Sequence, residues 1–81
     1  MQSKVVVITG ASRGIGAAAA RGFAAAGASV VLLARDSARI IDLATEIGPN
    51  ALALRCDVAD WHAVQAAMQA ALVRFGRVDV L

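Results

Sequence analysis

A run of β-branched residues, Val5-Val6-Val7-Ile8-Thr9, leads directly into Gly10-Ala11-Ser12-Arg13-Gly14-Ile15-Gly16, and an alanine-rich helical pattern follows without a break. Strand, glycine-rich turn and helix in immediate succession constrain this chain more than any other feature. Gly10 can end the strand in a backbone conformation that a side chain would penalise. Gly14 leaves the main chain open to an approaching pyrophosphate, and Gly16 lets the new helix lie close against the strand. The helix starts with free N–H groups and the positive end of its dipole over the turn, a place that suits a phosphate. The same glycines would also serve a corner needed for geometry alone. The downstream sequence tips the balance to the phosphate reading.

Continuous Val/Ile without alternation predicts a short, fully buried parallel strand over residues 4–9. The first helix is expected over 15–26, with Ile15, Ala18, Ala19, Gly22, Phe23 and Ala26 on its buried face and Gly27 at its end. A second buried strand covers 30–33. Asp36 or Ser37 caps the next helix, whose buried stripe is Ile40, Leu43, Ala44 and Ile47 and which stops at Gly48-Pro49. Alanine dilutes the third strand, 51–54. Asp60 then caps a helix with the stripe Val64, Ala67, Met68, Ala71, Leu72 and Phe75. Gly76 ends it, and residues 78–81 begin a fourth strand. Alternating strands and helices with short connections imply parallel pairing and right-handed crossovers. The expected fold is therefore α/β, a doubly wound parallel sheet of order 3-2-1-4, truncated after the fourth strand. Ligands bind such sheets at the carboxyl ends of the strands where the order reverses, and the glycine-rich turn falls there.

Composition excludes several alternatives. The 81 residues allow one small domain, and a net charge of +2 is too slight to argue for a nucleic-acid partner. Apolar residues make up 59%, but alanine supplies much of that fraction, and no stretch is long enough to span a bilayer, the alanine-rich run after Gly16 being interrupted by Arg21. The short strand behind Lys4 is no signal-peptide core. A lone cysteine, Cys56, rules out an intramolecular disulfide framework and fits a reducing compartment, with the cytoplasm as the expected location. No His/Cys/Asp/Glu cluster has metal-ligand spacing, so no metal is expected.

The glycine spacing reads Thr-Gly-x-x-x-Gly-x-Gly from Thr9 to Gly16, not G-x-G-x-x-G. It resembles the cofactor loop of the short-chain dehydrogenase/reductase family, down to the run TGASRGIG. The resemblance continues through Cys56-Asp57-Val58 and on to Gly76-Arg77-Val78-Asp79-Val80-Leu81, so it covers essentially the whole chain in the family's order. It implies a Rossmann-type domain of which residues 1–81 form the N-terminal, dinucleotide-binding part. The implied activity is hydride transfer between a nicotinamide cofactor and a small carbonyl or alcohol substrate. It also implies a homo-oligomer at full length; no membrane partner is expected, because no stretch is long enough to span a bilayer.

The end of the second strand bears on which nicotinamide cofactor fits. An NAD binder would place Asp or Glu roughly 20 residues beyond the glycines, to bond the ribose 2′-hydroxyl. Here that position is Ala34, followed by Arg35, while Arg13 stands inside the turn. Forked guanidinium donors suit the 2′-phosphate of NADP(H), and family members that prefer NADP carry a basic residue at both places. Either arginine alone would read as solvated; the two together, with the acid missing, favour NADP(H). Asp36 beside them reads as a helix cap pointing away. Asp57 and Val58 follow the third strand, where the adenine ring is expected; the family pattern Asp-hydrophobic-x-Asp matches Asp57 to Asp60, of which Asp60 is better explained as the cap. The expected cofactor-binding set is Gly10, Ala11, Ser12, Arg13, Gly14, Ile15, Gly16, Arg35, Asp57 and Val58. Cys56 reads as a buried thiol, His62 as a surface residue and Trp61 as a cover for the helix start.

The family's catalytic tyrosine has no counterpart here, since the chain contains no tyrosine, and its only lysine is Lys4 at the first strand. Ser12 and Ser37 belong to the turn and a cap. No catalytic residue is therefore expected in this stretch, and the catalytic half is expected outside it. The alternatives are a non-catalytic nucleotide-binding or regulatory module and, ranked last, another nucleotide binder such as a methyltransferase, which would want an acid where Ala34-Arg35 stand.

Overall fold

The structure, a computed structural model, describes residues 4–11 and 14–79. Three strands and three helices alternate: β1 (Val5–Thr9), α1 (Gly14–Ala25), β2 (Ser29–Ala34), α2 (Ser37–Ile47), β3 (Ala51–Arg55) and α3 (Trp61–Phe75). The sheet is parallel with β2 in the centre, Val7 paired with Val31 and Val31 with Leu52. The expected three-strand order 3-2-1 is thus present, and the fold is the Rossmann-type α/β arrangement. Val78 and Asp79 are not yet in a strand, and Val80 and Leu81 lie outside the described residues.

Successive strand residues face opposite sides of a sheet, and the core divides accordingly. Val6, Ile8, Val30 and Leu32 pack with Ala17, Ala20, Ile40 and Leu43 beneath α1 and α2. Val5, Val7, Val31 and Leu33 pack with Cys56, Ala67 and Ala71 beneath α3. Sandwiching between two helical layers is why β1 and β2 read as unbroken apolar runs. β3 lies at the edge, where Leu52 and Leu54 are only half-buried, and its alanine-diluted sequence matches that position.

Two expected stripes are displaced. Ile15 is 90% exposed, and α1 instead faces the sheet through Ala17 and Ala20, with Phe23 partly buried. Gly16 lies against the turn, so its side of the helix points inward; Ile15, about 100° away around the axis, points outward. On α3, Leu72 is exposed, because the helix meets the sheet along Ala67 and Ala71 with Val64, Met68 and Phe75 flanking them. Trp61, expected to cover the start of α3, is exposed as well. The stripe of α2 is as the sequence indicates, with Ile40 and Leu43 buried and Ala44 and Ile47 partly so.

Candidate functional site

The turn after β1 is shaped by two glycines with positive φ, Gly10 at 62° and Gly14 at 61°, a region that side chains avoid. Gly16 meets a different constraint. A Cβ there would lie 2.4 Å from the carbonyl oxygen of Gly10, so only glycine lets α1 start this close to the end of β1. The buried Ala11 packs in the core, and its N–H donates to the Leu33 carbonyl at 3.3 Å, tying the turn to β2.

A cavity of about 560 Å³ opens at the carboxyl ends of the three strands. Its lining comes from Gly10 after β1, from Leu33 to Asp36 at the end of β2, and from Cys56 to Ala59 after β3. The volume falls within the usual range of small-molecule sites, and the location is where doubly wound sheets take their ligands. Of the expected set, Gly10, Arg35, Asp57 and Val58 share this lining. Ala11, Gly14, Ile15 and Gly16 do not line it; Ile15 projects into solvent and Ala11 is buried. Ser12 and Arg13 lie outside the described residues.

Arg35 is exposed at the cavity, one residue beyond β2. Asp57 Oδ1 accepts from the Ala59 N–H at 2.9 Å and closes a short turn, while Oδ2 has no hydrogen bond among the described residues. Val58, more than half exposed, offers an apolar flank beside it. Cys56 lines the cavity but is buried; burial, then the Asp57 and Asp60 charges, push its thiol above the usual range, the opposite of an activated nucleophile. Asp60 caps α3, accepting from His62 N–H at 3.0 Å and Ala63 N–H at 3.3 Å.

Asp36 departs from expectation. It stands at the N-cap position of α2, yet its side chain makes no capping bond. Its carboxylate lies 3.5 Å from Arg39 Nε one turn along the helix, and the residue lines the cavity. Spacing alone marks Asp36 as a cap; the competing charge at i+3 is the signal that redirects it.

The family model described as short chain dehydrogenase matches residues 4–81, and the chain belongs to that family. It is 43% identical over 81 residues to galactitol 2-dehydrogenase of Agrobacterium fabrum, covering 100% of this chain and 32% of that protein. The crystal structure of a 3-ketoacyl-(acyl-carrier-protein) reductase from Brucella melitensis, complexed with NADH, superposes with a TM-score of 0.95 at 45% identity, covering 98% of this chain and 33% of that one. A metagenomic short-chain oxidoreductase in complex with NADP gives 0.90 at 43% identity, covering 100% and 38%. The chain thus spans about a third of the length of these relatives.

The expected family agrees with these matches. Among the described residues, no helix is long and apolar enough to cross a membrane, and no three His, Cys, Asp or Glu residues are grouped to hold a metal ion.

Proposed function

We propose that this stretch is the cofactor-binding part of an NADP(H)-dependent oxidoreductase that interconverts a carbonyl and an alcohol. One observation carries the reading: a cavity at the strand ends gathers Gly10, Arg35, Asp57 and Val58, with apolar Ala34 where an NAD binder would offer a carboxylate. Gly10, Ala11, Ser12, Arg13, Gly14, Ile15 and Gly16 form the turn under the pyrophosphate. The close approach of Gly16 to Gly10 supports that role, because it keeps the turn low and the main chain accessible. Arg35, joined by Arg13, holds the 2′-phosphate. Asp57 accepts from the adenine amino group through Oδ2, and Val58 lies against the ring. The nicotinamide, when bound, gives or takes the hydride. The groups that handle the substrate and its proton belong to the rest of the polypeptide, because this stretch has no tyrosine.

Relatives described with NADH and with NADP have similar folds, so the preference for NADP(H) rests on Ala34, Arg35 and Arg13. The protein is proposed to work in the cytoplasm as a homo-oligomer without nucleic acid, in keeping with its lone buried cysteine and slight net charge.

The test is hydride transfer by the full-length polypeptide, followed at the nicotinamide absorbance with a panel of ketones and polyols. NADP(H)-dependent turnover is the expected result. Cofactor binding with no turnover across the panel would return the chain to a non-catalytic nucleotide-binding module.

A further inference from the structure

Among the described residues, the charged side chains lining the cavity are one arginine, Arg35, and two aspartates, Asp36 and Asp57. Each carboxylate there weakens the site for a phosphate unless a nearby cation compensates it. Arg39 stands outside the lining, on the first turn of α2, with Nε 3.5 Å from Asp36 Oδ2. The capping bond that would otherwise occupy the Asp36 carboxylate is not made.

We infer that Arg39 is a specificity-determining positioning residue: it neutralises and holds the Asp36 carboxylate beside the 2′-phosphate subsite, and so strengthens NADPH binding without touching the cofactor. This rests on the NADP(H) reading above and names a further residue of that same site. Asp36 directly follows Arg35 and lines the same cavity, so its charge acts on the site where Arg35 would hold an anion. Both partners of the pair are about half exposed, and water screens them. The effect is accordingly moderate, a three- to tenfold change in affinity for a ligand that carries the 2′-phosphate, as expected for one uncompensated charge near a phosphate in high dielectric. A ligand without that phosphate carries no charge at the subsite and is indifferent to Arg39.

The experiment is calorimetric titration of the full-length protein with adenosine 2′,5′-bisphosphate and with 5′-AMP. The variants are Arg39→Ala, Asp36→Asn and the two combined. Arg39→Ala is expected to weaken the bisphosphate three- to tenfold and to leave 5′-AMP within a factor of about two. The double variant is expected to regain the lost affinity, because the carboxylate that Arg39 compensated is gone. Raising the salt concentration should shrink the difference. Equal weakening of both ligands would overturn the inference in favour of a merely structural Arg39. Failure of the double variant to recover would overturn it in favour of direct contact between Arg39 and the phosphate. If the unmutated protein binds both ligands alike, the NADP(H) reading fails first, and the role of Arg39 fails with it.

Discussion

The carbonyl oxygen of Gly10 occupies the space that a side chain at Gly16 would need, with only 2.4 Å to a Cβ built there. The obstacle is backbone, so it cannot swing aside as a side-chain tip would. Relief requires α1 to slide or the turn to rise. Gly16→Ala should therefore cost about 1–3 kcal/mol of stability and weaken cofactor binding at the same time. Thermal unfolding and a cofactor titration check both. A variant with unchanged melting temperature and affinity would show that the turn has slack.

Asp79 grips β1 at two points. Its N–H donates to the Val5 carbonyl at 2.9 Å, and its Oδ2 accepts from the Val5 N–H at 2.8 Å. Arg77 Nε donates to Oδ1 at 3.0 Å. The Arg77 hydrogen bond, then the Val5 N–H, hold the carboxyl below the usual aspartate range. A depressed folded pKa means stability that is fully present above the unfolded value, near pH 4, and lost as pH falls through the folded value. Melting temperature followed from pH 6 down to pH 2 should thus drop further for the parent than for Asp79→Asn. Part of the acid sensitivity remains in that variant, because Glu46 is held low by Arg21 across α1 and α2. Identical acid profiles for parent and variant would contradict this account of Asp79.

Asp57 is split between two tasks, one oxygen closing a turn on Ala59 and the other left to the cavity. Asp57→Asn retains an acceptor for the Ala59 N–H and presents an NH2 group to the adenine amino donor. Affinity for NADPH and for adenosine fragments should fall about tenfold, as expected for the loss of a charge-assisted bond, with little change in melting temperature. Binding of nicotinamide mononucleotide should be unaffected. Undiminished NADPH binding would leave Asp57 with its turn alone.

Much of this architecture was legible in the chain because buried parallel strands and glycine turns leave strong local signals. The strand Val5–Thr9, the stripe Ile40-Leu43 and the Asp60 cap all follow from spacing and residue type. The alanine-rich α1 was less legible, since alanine fits a buried or an exposed face equally well. The orientation of α1 is set by the Gly16 contact, a tertiary fact, and that contact puts Ile15 into solvent. Asp36 shows a similar limit. Its position promises a cap, but where its carboxylate goes depends on Arg39 and on the cavity wall. The joining of Gly10, Arg35, Asp57 and Val58 in one lining was foreseeable only through the order of the strands.

Cofactor choice tests the central claim most directly. Calorimetric titration of the full-length protein should show NADPH bound about tenfold or more tightly than NADH, since a charge-assisted hydrogen bond to the 2′-phosphate is worth about 1.5–3 kcal/mol. The variant Ala34→Asp with Arg35→Ala should reverse that order, by supplying a carboxylate for the ribose hydroxyl and removing the phosphate's partner. Equal affinity of the unmutated protein for NADPH and NADH would contradict the account.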